Sequence, residues 1–151
     1  MQRRGNNPTI KLDLSWDEIL IEPTVIKPIY HPYNDDNFDF TVQTYGIEEI
    51  FAEKLRAFVE RMRPRDLYDI IHLFEDSRWS PDRKKLFTAL EKKCTYKNVL
   101  VPTLQSVNAM PGKEDLIADW HSMLAHQINE LETPEYYWER LPSLFDWLYS
   151  K

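Results

Sequence analysis

Lys54, Asp66 and Asp69 have the residue types and spacing for phosphate chemistry. A lysine offers a compact positive charge to a phosphate oxygen, and a carboxylate can ligate a metal or hold a nucleophile's hydroxyl. Arg61 and Arg65 lie between them in the chain and add two further cations. Asp66 and Asp69 are three apart, which on a helix puts both on one side. Each has a plainer reading. A lysine on an apolar face can bury its stem and let its head reach water. Aspartates early in a helix are favoured by the dipole and the free N–H groups, an account that suits Asp66 better than Asp69.

The stretch that must position these residues reads as two helices. From Ile47 to about Met62 the apolar residues recur with helical period. With Ile47 as origin and about 100° per residue, Phe51, Leu55, Phe58 and Met62 fall on one arc. Lys54 falls at about 340° and Arg61 at about 320°, on that same side. Glu49, Glu53, Arg56 and Glu60 gather opposite, where the pattern predicts a solvated face. Pro64 opens a second helix to about Glu75, with Leu67, Ile70, Ile71 and Phe74 as its buried stripe.

Upstream, Ile10 to Ser15 alternates strictly and predicts a strand with Ile10, Leu12 and Leu14 on one face. Asp13 stands mid-strand on the other face; it is a third candidate carboxylate, or a surface residue paired with Lys11, Lys27 or an arginine. A second extended segment covers about Thr24 to Tyr30, bounded by Pro23 and broken by Pro28, as suits an edge. A third runs from Phe38 to Gln43, and Gly46 closes it. Downstream, Ser80-Pro81 reads as the start of a helix whose buried side holds Leu86, Phe87 and Leu90. Residues 95–112 read as irregular. A helix from about Lys113 to Glu130 would bury Leu116, Ile117, Trp120, Leu124 and Ile128. Thr133-Pro134 starts an aromatic-rich helical segment that Pro142 should break. Strands first and helices after is the α+β pattern: a small antiparallel or mixed sheet followed by a helical bundle. The expected division is a lead-in over 1–8, a sheet with the signature helices over 9–76, and a helical region over 77–151.

Composition narrows the function classes. The net charge of −6 and pI near 5.2 disfavour broad electrostatic capture of nucleic acid, which needs a basic surface. With 42% hydrophobic and 13% aromatic residues, the chain can build a core. Cys94 is the single cysteine, so no internal disulfide forms, and no thiol-activating surroundings are visible. No apolar run reaches the ~18 residues of a membrane span, and Arg3-Arg4 is followed by no apolar segment; the expectation is a cytoplasmic protein. His31, His72, His121 and His126 show no metal-ligand spacing. Tyr136, Tyr137, Trp138, Phe145, Trp147 and Tyr149 recur at helical spacing, which favours core packing over a base-stacking surface. With glycine only at 5, 46 and 112, there is no Gly-rich phosphate loop.

The run from Gly46 through Glu48-Glu49, Ala52-Glu53-Lys54 and Ala57, followed by Arg65-Asp66-Leu67-Tyr68-Asp69, resembles the AbiEii/AbiGii toxin-type nucleotidyltransferases. Ile10 to Ser15 resembles that family's short strand with a single acidic residue. The likeness spans roughly residues 8–130. It implies a polymerase-β-like nucleotidyltransferase core with a helical C-terminal region, Mg²⁺ and an NTP as cofactors, and transfer of a nucleotide to an acceptor such as tRNA. It also implies a role in a toxin–antitoxin or phage-defence pair with a cognate antitoxin. By position Lys54 contacts the triphosphate with help from Arg61 and Arg65, Asp66 or Asp69 is the second catalytic acid, and Asp13 is an extra carboxylate near the metals. One departure stands out: the family's Gly-Ser turn with its metal-binding Asp-x-Asp is absent. The expectation is therefore a truncated or degenerate nucleotidyltransferase, whose partner is a missing N-terminal half or a cognate antitoxin, with a homo-oligomer expected if the chain is instead an interaction domain. The other expectation is a non-catalytic module that keeps a phosphate- or partner-binding surface.

Overall fold

The computed structural model describes Leu12, residues 17–29 and residues 40–150. The strand expected over Ile10–Ser15, and Asp13 with it, lies outside the described residues; Leu12 is exposed and in no strand, not part of a covered apolar face. Strand β1, Val25–Pro28, pairs antiparallel with β2, Thr41–Thr44, in the register Val25↔Thr44 and Lys27↔Val42. Pro28 lacks an N–H and stands at the strand's end, where the next residue takes over: Ile29 N–H donates to Phe40 C=O at 2.8 Å. Phe40 itself is outside β2, so the strand starts later than the alternation suggested.

The extended backbone of Gly46 leads into α1, Ile47–Arg61, whose first turn carries Glu48 and Glu49 where the helix dipole favours acids. Helix α1 ends at Met62 in the left-handed conformation, its N–H donating to Phe58 C=O. Arg63 is extended, as a residue before proline must be, and Pro64 starts α2, Pro64–Glu75. The two helices thus turn back on each other through only two residues and run antiparallel.

Helix α3, Arg83–Tyr96, is capped by Asp82, whose side chain accepts from the N–H groups of Lys84 and Lys85; the expected Ser80 cap stands two residues too early. Helix α4, Leu104–Ala109, lies inside the stretch read as irregular and starts with a reciprocal Thr103–Ser106 capping box. Helix α5, Lys113–Leu124, stops short of Glu130, and Ile117 is exposed instead of packed. Gly112 precedes α5 at φ 97°, a conformation that costs a side-chain-bearing residue about 1 kcal/mol or more. The break expected at Pro142 comes earlier: α6, Pro134–Trp138, gives way at Glu139–Arg140, and Pro142 sits in the first turn of α7, Leu141–Tyr149.

The core is helical. Phe51, Leu55 and Phe58 of α1 meet Leu67, Ile70 and Ile71 of α2 and Leu86, Leu90 and Cys94 of α3, closed by Leu141, Leu144 and Leu148 of α7. Each such buried side chain contributes roughly 1.5–3 kcal/mol over its exposed state. Five of the six late aromatics join this core, with Trp147 against Phe51 and Phe74 and Tyr137 against Tyr68 and Trp120, whereas Tyr149, in the last turn of α7, is exposed. Helix α1 is central, with α2 on one side and α3 on the other. Among the described residues no helix is long and apolar enough to cross a membrane.

Candidate functional site

Because α1 and α2 are antiparallel and joined by a tight turn, residues at matching distances from the turn face each other. Lys54 of α1 therefore meets Asp69 of α2, with Nζ to Oδ2 at 2.6 Å. Lys54 Nζ also lies 4.0 Å from Asp66 Oδ1. Arg61, at the end of α1, reaches across the turn and grips Asp66 with both arms of its fork: Nε to Oδ2 at 2.7 Å and Nη2 to Oδ1 at 2.8 Å. The result is a chain of alternating charges, Arg61–Asp66–Lys54–Asp69, along the α1–α2 seam. Asp66's hydrogen bonds, partly offset by burial, hold the Arg61 guanidinium even more firmly protonated than usual.

The two aspartates differ in what they can do. The Asp66 side chain is fully buried (0% exposed), and both its oxygens are occupied by one guanidinium. Two parallel charge-assisted bonds of that kind fix geometry strongly and leave little room for a ligand. Asp69 and Lys54 are 28% and 29% exposed and hold each other by a single short contact that water can reach. An anion approaching from solvent could take the lysine's other protons without unfolding anything. The sequence pattern put Lys54 on an inward face, and there its ammonium does meet anions, though both are carboxylates of the same chain.

Lys54, Arg61, Asp66 and Asp69 thus come together. Arg65 does not join them; it is exposed and makes no ion pair among the described residues. Nor does any group of three or more His, Cys, Asp or Glu among the described residues converge so as to hold a metal ion. Asp66 and Asp69 alone do not fit Mg²⁺, since each already faces a cation.

One helical turn along the seam, about 6 Å, the polar chain gives way to a groove. Ile47, Ile50 and Leu73 form its floor, and Val25, Lys27, Val42 and Thr44 of the hairpin form a wall. These four hairpin residues alternate along their strands and pair in register, so they present one face of the ribbon. Tyr45 and Trp79, both exposed, stand at the rim, and the space measures about 750 Å³.

A second charged cluster was not expected. The face of α1 read as solvated is covered by α3, and Glu49 and Arg56 are buried on it. Lys93 of α3 is buried as well and sets its Nζ 2.7 Å from Glu49 Oε1 and 3.4 Å from Glu53 Oε2. Arg56 bonds to Glu53 and Glu60, and Glu53's hydrogen bond above all, against burial, raises the pKa of its guanidinium. Burial pushes the Glu53 carboxyl up, but Arg56 and Lys93 outweigh it and leave its pKa lowered. A signal for this cluster was present: Lys93 shares the helical stripe of Leu86, Ala89 and Leu90, the same oddity that marks Lys54 on α1.

Residues 3–151 match the model of a protein family described as nucleotidyl transferase AbiEii toxin, of the type IV toxin–antitoxin system. No curated protein and no solved structure matches the chain.

Proposed function

Since the chain belongs to the AbiEii nucleotidyl transferase toxin family, we propose that the α1–α2 seam is the part of its nucleotidyltransferase site that handles phosphate, with Lys54 as the contact. The observation that carries this reading is the asymmetry of the charge chain. Asp66 is locked by Arg61 and buried, whereas Lys54 and Asp69 share one short ion pair at a solvent-accessible point beside a groove. In this reading Asp66 is a positioning residue that, with Arg61, pins the start of α2 to the end of α1. Asp69 is the carboxylate available for chemistry. When a nucleoside triphosphate arrives, its phosphate oxygen takes the place of Asp69 on the Lys54 ammonium, and the released carboxylate accepts the hydrogen bond of an acceptor hydroxyl. The acceptor oxygen forms a bond to the α-phosphorus as its proton passes to the Asp69 carboxylate, the bond from the α-phosphorus to the α,β-bridging oxygen breaks, pyrophosphate leaves with that oxygen, and Lys54 offsets the charge that gathers on the phosphate oxygens.

Mg²⁺ would supply charge neutralisation on the triphosphate in this kind of transfer. The described residues do not make a seat for it, and the chain contains no Asp-x-Asp pair. The family's place in a type IV toxin–antitoxin system implies a cognate antitoxin. An RNA such as tRNA is the acceptor this reading favours.

Calorimetric titration of the chain with nucleoside triphosphate and Mg²⁺ tests the proposal. Lys54→Ala should weaken binding at least tenfold, and Asp69→Asn should leave it equal or tighter, because it removes the carboxylate that competes for the ammonium. Equal affinity of the wild type and Lys54→Ala would remove the seam from consideration.

A further inference from the structure

The buried cluster on the opposite face of α1 holds more than two helices. Glu49 Oε1 accepts the N–H of Ile21 at 3.2 Å, and Oε2 accepts the N–H of Glu22 at 3.1 Å. Lys93 Nζ donates to the C=O of Ile19 at 2.9 Å while it pairs with Glu49. An ion pair only 1–2% exposed is costly unless its remaining donors and acceptors are satisfied. Here the backbone of residues 19–22 satisfies them. Two helices that needed only to pack could have used apolar side chains; the charges are matched to a strip of irregular backbone, residues 19–22.

That strip leads directly into the hairpin. Pro23 and Thr24 separate Glu22 from β1, and Thr24 Oγ1 accepts from Gln43 of β2, so the strip and both strands are tied together. The hairpin does not lie flush on the helices. The groove of about 750 Å³ separates it from Ile47, Ile50 and Leu73. Glu49 belongs to the same helical turn as Ile47 and Ile50. The clamp and the groove floor are therefore two sides of one turn of α1. A second tie, Lys97 Nζ to Asp17 Oδ2 at 2.6 Å, holds the strip further upstream.

We propose that Glu49 and Lys93 are positioning residues that clamp the Ile19–Glu22 backbone and so set the hairpin over α1, fixing the width of the groove beside Lys54. The clamp stands on its own geometry; its consequence for nucleotide rests on the reading of the seam given above. Removing one partner leaves a buried charge and destabilises the fold whatever its purpose. The informative variant replaces both, Glu49→Leu with Lys93→Met, which keeps the volume and removes the charges. The clamp predicts that the double variant melts within a few degrees of the wild type. The amides of Ile21 and Glu22 should then exchange hydrogen at least tenfold faster, while those of α1 and α2 do not change. Spin labels at Lys27→Cys on β1 and Lys85→Cys on α3 should show a narrow distance distribution in the wild-type background and a broadened one in the double variant. Nucleotide affinity should fall with it. Unchanged amide exchange and an unchanged distance distribution in a folded double variant overturn the clamp. If the double variant does not fold, exchange in the wild type decides. Protection of Ile21 and Glu22 at least a hundredfold over an unstructured peptide supports the clamp, and exchange at the free rate refutes it. If the double variant shows the exchange and distance effects but the wild-type protein binds no nucleotide, the seam reading is overturned and the clamp stands.

Discussion

The two aspartates of the seam can be separated by a pair of substitutions that look alike on paper. Asp66→Asn removes the charge from a fully buried side chain whose two oxygens both accept from Arg61. The amide keeps one acceptor but turns an N–H₂ toward a donor, so one bond is lost and one donor faces another. Hydrogen bonds to charged groups contribute about 1.5–3 kcal/mol each, and breaking a buried pair costs about 3–5 kcal/mol. Arg61 is 55% exposed and recovers part of its hydration, which brings the expected cost to about 3 kcal/mol. For a chain of this length that lowers Tm by about 6–12 °C. Asp69→Asn breaks a pair whose members are both more than a quarter exposed, and such pairs contribute about 0–1 kcal/mol, or less than about 4 °C. Thermal and urea denaturation of the two variants measure both numbers. Equal losses, or a cost below about 1 kcal/mol for Asp66→Asn, would refute the assignment of Asp66 as anchor and Asp69 as the available carboxylate.

Other consequences follow from burial and charge. Cys94 is buried and its thiol is pushed up to about 11 by desolvation, so a disulfide reagent at pH 8 should leave the folded protein unlabelled and label it at once in urea; rapid labelling of the native state would contradict the packing of α1 on α3. Acid should unfold the protein through its paired carboxylates. Arg78 holds Asp76 at about 2 against an ordinary 3.8, and Glu53 also titrates below its ordinary 4.5. Carboxyls with lowered folded pKa values stabilise fully above their ordinary values and lose that contribution as pH falls through the folded ones. The urea midpoint should therefore drop between pH 4.5 and about 2, with a shallower fall below pH 3.8 in Arg78→Gln; a midpoint flat to pH 2 would contradict it.

Much of the helical half could be read from the sequence because periodicity and punctuation agree there. Met62-Arg63 between two apolar stripes, with Pro64 at a first-turn position, fixes both α1 and α2. The inward lysine was visible for the same reason, as a charge on an apolar stripe. What a single helix cannot report is its second neighbour. Glu49 and Arg56 read as solvated because a wheel takes charge as a sign of water, and only Lys93 and the Ile19–Glu22 backbone, both distant in sequence, reveal that they are buried. Spacing could not rank Asp66 against Asp69 either, because the difference comes from Arg61 folding back over the turn. Ile117 matched the stripe of α5 yet stays exposed, because helix periodicity describes a face without saying how far its partner extends. Helix α4 was hidden between Pro102 and Pro111, and its Thr103–Ser106 cap lacks the Glu or Gln that usually announces a capping box.

The most direct test of the central claim is to watch the Lys54 ammonium itself. In ¹⁵N-lysine-labelled protein its side-chain resonance can be assigned by its absence in Lys54→Arg. Titration with a nucleoside triphosphate should shift that resonance in proportion to saturation, as the ammonium leaves Asp69 for phosphate, and the same titration of Asp69→Asn should saturate at equal or lower ligand concentration. A Lys54 signal that stays in place while nucleotide binds would put the phosphate elsewhere and contradict the account.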